Sequence, residues 1–196
     1  MLLLQLPWPR WFAPGDGVAA LTARELVFWL MTVLLLLYVL RIERRPLLSL
    51  GLKKPDRRTV AWAVVGAVAA VAGMALVYIV VFPAVGLPAQ EQLGALQGLP
   101  LWLLVGIVTR AAVFEELYYR GFAIERIAEL TGRRWLAVLV SLLMFTYAHL
   151  DYWGWEHLMV AGWGGLVLTA LYLFRRDLAA AMLAHWLIDC VGFLLG

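Results

Sequence analysis

Six apolar stretches, each near or beyond the length of a membrane span, alternate with short polar connections along the chain. They run approximately from Leu21 to Leu40, Val60 to Phe82, Leu99 to Tyr119 or beyond, Trp135 to Leu150, Leu158 to Phe174 and Leu178 to Leu195. Crossing a hydrocarbon layer of about 30 Å takes roughly 20 helical residues, which these stretches approach or exceed. The pattern predicts an all-α protein, a polytopic transmembrane helix bundle of about six helices in a single membrane domain covering residues 1–196.

The positive charges test that count, because Lys and Arg accumulate in cytoplasmic connections. Arg41, Arg44, Arg45, Lys53, Lys54, Arg57 and Arg58 fall in the first connection, and none falls between Pro83 and Gly98. Arg126, Arg133 and Arg134 follow the third span, Asp151 to His157 has none, and Arg175 and Arg176 precede the last. Rich and empty connections alternate as six spans require, with both termini non-cytoplasmic. Residues 41–58, broken by Pro46 and Pro55, read as a basic cytoplasmic loop and the one internal boundary.

Composition narrows the class further. With 64% hydrophobic and 15% charged residues, the chain lacks the polar surface of a soluble fold. The net charge of +3 follows from topology and contact with the lipid bilayer, and calls for no nucleic-acid partner. The opening MLLLQLPWPRWF is a poor secretory signal, since Arg10 follows its short apolar run; Trp8, Trp11 and Phe12 suggest that residues 1–20 lie at the membrane interface. The lone Cys190 reads as small apolar filler.

Charges inside a bilayer cost at least a few kcal/mol and commonly mark working sites, so the run around Glu115, Glu116 and Arg120 stands out. On a helix Glu116 and Arg120 share a face, while Glu115 is rotated about 100° away. Either Glu116–Arg120 is a structural ion pair with Glu115 facing the cytoplasm, or the pair frees Glu115 to act as a general base. Phe145 and His149 in the fourth span, and His185 and Asp189 in the sixth, are also spaced to share a helix face. Lipid offers such groups no partner, so they turn toward one another, and convergence of Glu115, Glu116, Arg120, His149, His185 and Asp189 on one cavity is expected.

Such a cavity suits amide hydrolysis. A carboxylate and a histidine can share a water and take its proton, while a second histidine with an acid or amide stabilises the oxyanion. The set Glu115, His149 and His185 could instead ligate Zn2+ or a similar divalent cation, although the His-Glu-x-x-His spacing of helical zinc proteases is absent. Neither Ser49 nor Ser141 has a suitable partner as a nucleophile.

Glu115-Glu116-Leu-Tyr-Tyr-Arg120-Gly121, Phe145-Thr-Tyr-Ala-His149 and His185-Trp-Leu-Ile-Asp189 resemble the three ordered motifs of the CPBP family. That family comprises the type II CAAX prenyl endopeptidases and their prokaryotic bacteriocin-processing and immunity relatives. The resemblance spans residues 99–196. It implies an integral membrane endopeptidase of a prokaryotic plasma membrane, acting on a peptide or lipidated protein. By resemblance Glu115 is the general base and His149 helps hold the water. His185 and Asp189 bind the oxyanion and orient the substrate, with Glu116, Arg120 and Phe145 in support. The family commonly has asparagine where Asp189 stands, and aspartate can donate only when protonated. The family is often labelled as metalloproteases, but a metal-free glutamate mechanism is also argued for it; no obligatory metal is expected here, with a divalent cation on Glu115, His149 and His185 as the alternative.

Depth arithmetic adds a condition. Glu115 reaches the level of His149, His185 and Asp189 only if the third helix continues past Arg126 and Arg120 is buried. A long third helix, tilted or bent near Gly121, is therefore expected, with residues 125–134 at the cytoplasmic face. Arg110 reads as a counter-ion for Asp151 or Asp189, or as snorkelling outward. His157 with Glu156 and Asp151 reads chiefly as a polar turn. Tyr118, Tyr119 and Tyr147 suit either cavity lining or packing, and Trp102, Trp153, Trp155 and Trp163 an interfacial belt. Two other functions compete: a non-catalytic immunity or scaffold relative, and a small proton-coupled transporter using Glu115, His149 and Asp189 as a relay.

Overall fold

The computed structural model describes residues 17–87 and 98–194, together with Ala13 and Gly15. The core of the expected interfacial segment, residues 1–12, and most of the connection without Lys or Arg, residues 88–97, lie outside them. Among the described residues the protein is entirely helical. Helix α1 covers Val18–Leu37 and runs into a π-helical turn, Tyr38–Ile42. Helix α2 covers Arg57–Leu76 and continues through the π-turn Val77–Val81 to Phe82–Ala84. Helix α3 is unbroken from Leu101–Glu115 through a π-helix, Glu116–Ile124, to Glu125–Thr131. Helix α4 covers Arg134–Ala148, with a short turn Leu150–Trp153 after it; α5 covers Leu158–Arg175 and α6 Leu178–Leu194.

Four helical segments are long and apolar enough to cross a membrane: Val18–Ile42, Arg57–Ala84, Arg134–Trp153 and Leu158–Arg175. The α6 segment is apolar but shorter. Helix α3 has ample length, and its charges at Arg110, Glu115, Glu116 and Arg120 keep it from reading as a plain apolar span. Its continuity through Thr131 matches the expected long third helix, and its departure from α geometry surrounds Gly121.

Local chemistry sets the helix ends. Asp56 caps α2: its carboxylate accepts from the Thr59 backbone amide at 2.8 Å, while the Thr59 hydroxyl accepts from the Asp56 amide at 3.0 Å. The Thr59 amide holds the Asp56 carboxyl below the usual carboxylate range. Gly132 ends α3 in the left-handed conformation that glycine adopts without a Cβ clash. Gly51, also left-handed, sits so close to Tyr172 that a Cβ would come within 2.8 Å of the ring. Its carbonyl accepts from the Leu178 amide at 2.9 Å, tying the first connection to the start of α6.

Small residues let the helices approach. Ala63, Ala67 and Ala70 of α2 pack with Leu168 and Leu171 of α5 and Ala184 and Ile188 of α6. A Cβ on Gly66 would meet Leu171 at 2.8 Å. In a bilayer, where burial of apolar surface against lipid gains little, such close van der Waals contact is a main source of helix association. A second core, including Val39, Leu50, Leu117, Ile124, Tyr172 and Leu178, joins the opposite ends of α1, α3, α5 and α6.

The basic connections gather at this end. Arg126 donates to Glu43 and Ser49, and Arg45 pairs with Glu129 at 2.6 Å. Glu125, 5% exposed, accepts from the Tyr172 hydroxyl, from both Arg176 amino groups and from Arg134. The expected amphipathic surface over residues 125–134 is thus half a surface, because Glu125 and Arg126 are buried in ion pairs across it.

Ala70→Leu is expected to overpack the α2–α6 contact and cost about 1–3 kcal/mol, read as a lower Tm in detergent. Val68→Leu, at a site 63% exposed on the lipid side of the same helix, should leave Tm unchanged.

Candidate active site

The π-helical stretch of α3 carries the ionisable cluster into the bundle. Its turns pack on the first connection and on α4 and α6. A Cβ at Gly121 would lie 2.9 Å from the Leu178 side chain and 3.1 Å from the Leu50 carbonyl oxygen, so only a glycine allows α3 to seat this closely. Arg120 is consequently buried, as the depth arithmetic requires: it is 1% exposed and Glu116 is fully buried.

Every edge of the Arg120 guanidinium is engaged. Nη1 donates to Glu116 Oε1 at 2.7 Å, Nη2 to the Gly165 carbonyl at 3.1 Å and Nε to Thr169 Oγ1 at 3.3 Å. Its carbon lies 4.1 Å from the centroid of the Phe145 ring, in cation–π contact. Phe145 in turn fills the space that a side chain at Gly165 would need, at 2.8 Å from its Cβ position. One cation therefore fastens α3 to α4 and α5.

His185 adds α6. Its Nδ1 lies 2.9 Å from Glu116 Oε1, and because a carboxylate only accepts, Nδ1 carries the proton and donates. Its Nε2 is then directed toward Asp189 Oδ2, 3.6 Å away. His149 ends α4, and its Nδ1 lies 2.8 Å from the Phe145 carbonyl, so that nitrogen too donates. The Nε2 of a neutral His149 is left as an acceptor. The second ring nitrogen therefore does different work in each histidine.

Glu115, His149, His185, Asp189 and Phe145 line one cavity of about 450 Å3. Glu116 and Arg120 stand behind that wall. Oε2 of each acid is buried with no hydrogen-bond partner, but Glu116 Oε1 accepts from Arg120 and His185. The two adjacent acids thus differ as their angular separation implies: Glu116 is locked behind the wall through Oε1, and Glu115 faces the cavity. Glu115 is not isolated, since Arg110 Nη1 lies 3.6 Å from its Oε1.

Arg110 departs from expectation. Its Nε and Nη2 donate side by side to Glu25, both at 2.9 Å, so its main partner comes from α1. The expected electrostatic partner Asp189 also feels its charge at longer range, and the side chain turns inward instead of snorkelling. Glu25 is a cavity-lining residue that sequence reasoning missed; its one signal is an acid within the first apolar span. Tyr119 lines the cavity, Tyr118 donates to the Met31 carbonyl at 2.9 Å, and Tyr147 is exposed. Trp163 donates to the Ala70 carbonyl at 3.2 Å while staying 38% exposed, and Trp153 stacks on His157 at 4.7 Å; Trp102 and Trp155 are exposed. Burial pushes His157 down to about 3, keeping it neutral at the cavity rim.

Among the described residues no three His, Cys, Asp or Glu side chains are grouped to hold a metal ion. In the nominated trio Nδ1 of His185 and of His149 is committed, so either ring could reach a cation only through Nε2.

The cavity wall also includes the start of α1 at Leu21, the end of α2 at Tyr78, the start of α5 at His157 and the end of α6 at Phe193. It thus occupies the half of the bundle away from the basic connections. The fold and this wall define an integral membrane protein with an acid- and histidine-lined internal cavity. Residues 97–191 match the family model described as type II CAAX prenyl endopeptidase, Rce1-like. That match agrees with the three motifs and supports a CPBP-type membrane protease domain. No curated protein and no solved structure matches the chain.

Arg120→Met should leave the Glu116 carboxylate buried without its cation, at a cost of about 3–5 kcal/mol, read as a large drop in detergent Tm or loss of folded protein. Glu116→Gln with Arg120→Met should recover much of that loss.

Proposed function

We propose that this protein is an intramembrane endopeptidase that hydrolyses a peptide bond of a membrane-associated or lipidated substrate, with Glu115 as general base. The observation that carries this reading is the buried, unpartnered Oε2 of Glu115 in a cavity shared with His149, His185 and Asp189. A water held between Glu115 and the free Nε2 of His149 loses a proton to Glu115 as its oxygen attacks the carbonyl carbon. The carbonyl electron pair moves to oxygen, and the resulting oxyanion is met by His185, whose Nε2 donates when protonated, and by Asp189 in its protonated form. Glu115 then returns the proton to the leaving nitrogen as the C–N bond breaks. Glu116 and Arg120 touch neither substrate nor water in this scheme; they hold His185 and Phe145 in place.

The reaction is assayed with purified protein and an internally quenched peptide ending in a farnesylated CAAX sequence, beside its unlipidated counterpart. Glu115→Gln, which keeps shape and removes basicity, should lower kcat at least about 100-fold, within the range general-base catalysis contributes, with Tm preserved. Addition of 1,10-phenanthroline should leave the rate unchanged. Undiminished cleavage by the Gln variant overturns the assignment of Glu115.

For topology we propose six spans in a prokaryotic plasma membrane, with both termini outside. The paired basic connections support this reading, since they collect at one end of the bundle. The cavity then occupies the outer half, and the peptide reaches it from the non-cytoplasmic side or laterally from the bilayer. In a Cys190→Ser background, a membrane-impermeant maleimide should label Trp155→Cys in intact cells, and Lys54→Cys only after permeabilisation. The reverse pattern would sink the proposed orientation.

A further inference from the structure

The Glu25–Arg110 pair lies at the same cavity, yet the chemistry above makes no use of it. Glu25 stands on α1, outside the matched residues 97–191, and Arg110 stands on α3 five positions before Glu115. Both side chains are 13% exposed. The guanidinium is sandwiched in place: its Nε and Nη2 edge is taken by Glu25, and its carbon lies 4.5 Å from the Phe28 ring centroid. Phe28 is braced edge-on against Phe114 at 5.0 Å. That arrangement leaves Nη1 facing Glu115 Oε1 at 3.6 Å.

The distance is informative. At 3.6 Å the contact is ionic but too long for a hydrogen bond, in contrast to the 2.7 Å bond that fixes Glu116 to Arg120. A short bond from arginine would tie up the carboxylate and reduce its basicity. A cation held slightly away stabilises the charged carboxylate and leaves its oxygens free. Two anchors are needed to hold it there, because an unrestrained arginine would close on the acid.

We propose that Glu25 and Arg110 form a positioning pair that holds a positive charge at arm's length from Glu115, making α1 a working part of the site. Glu25 sets the position of Arg110, and Arg110 sets the charge and orientation of Glu115. The proposal rests on Glu115 being the general base. The other titratable groups lining this cavity with Glu115 are Tyr78 from α2, Tyr119 from α3, His149 from α4, His185 and Asp189 from α6, and Asp151, Tyr152 and His157 at the rim, with Arg24 beside Glu25.

The test is the pH profile of kcat/KM on the farnesylated peptide for Glu25→Gln, Arg110→Gln and Arg110→Lys, with Glu115→Gln alongside. Misplacing the acid should lower kcat about 10- to 100-fold in each of the first three variants. Loss of the cation in Arg110→Gln makes the ionised carboxylate less favourable, so the acidic limb should move up by about one pH unit or more. Loss of the anion in Glu25→Gln lets the cation act on Glu115 unopposed, so that limb should move down. Arg110→Lys keeps the charge and should leave the limb in place. A role in packing alone would lower Tm and yield without moving any limb.

Limbs that coincide in wild type, Glu25→Gln and Arg110→Gln, or that shift in one direction together, overturn the pairing. Should Arg110→Gln fail to accumulate in membranes, the downward shift in Glu25→Gln and the unmoved limb in Arg110→Lys decide the matter. If Glu115→Gln is inactive while the other variants match wild type, only the positioning pair fails. If Glu115→Gln retains full activity, the general-base reading fails with it.

Discussion

A carboxylate buried at the centre of an apolar bundle is the constraint around which this protein is arranged. Glu116 is fully removed from surrounding solvent and lipid, and an ion in that position costs several kcal/mol unless its field is neutralised and its oxygens are bonded. Arg120 supplies the charge, but it brings five N–H groups that need acceptors of their own. The structure meets that demand with Glu116, the Gly165 carbonyl, the Thr169 hydroxyl and the face of Phe145. With His185 bonded to the same oxygen of Glu116, four helices are committed to a single arrangement. Little freedom remains in how α3, α4, α5 and α6 stack.

That rigidity has a chemical consequence. Glu115 is one residue from a locked acid, so its backbone is held by an anchor it takes no part in making. Its side chain projects into the cavity, where Oε2 has no partner. His149 and His185 are likewise each held through Nδ1, which leaves Nε2 of His149 to the cavity and turns that of His185 toward Asp189. In all three cases one contact fixes the side chain and another part of it is free for chemistry. Preorganisation of this kind lets a water-poor site act without reorganising its dipoles during reaction.

A second cluster of charges serves a different end. Glu125 binds Tyr172, Arg134 and Arg176, while Arg126 binds Glu43, and these pairs sew the basic connections together at the end of the bundle away from the cavity. Arg176 adopts a left-handed backbone despite being no glycine, and its side chain donates two hydrogen bonds to Glu125. Cations placed there for topology are therefore also used structurally. The aromatic residues show a similar double use: Trp153 and Trp163 resemble interfacial residues by composition, yet their rings and indole nitrogen find internal partners.

Much of this was legible in the order of residues. Apolar run lengths located the helices to within a few residues, because crossing a bilayer fixes a length and a composition. The spacing of Glu116 and Arg120 foretold their pair, since helix geometry alone brings residues four apart together. The same geometry turned Glu115 away, and depth required Arg120 to be buried. What only the tertiary structure decided are contacts between distant helices. Arg110 and Glu25 are 85 positions apart, and Arg120 reaches Gly165 across 45. No periodicity in either segment encodes the rotation of one helix against another, which follows from how small residues such as Ala63, Gly66 and Gly121 allow the helices to seat. The sequence by itself determined which charges had to be buried; packing decided which partner each would find.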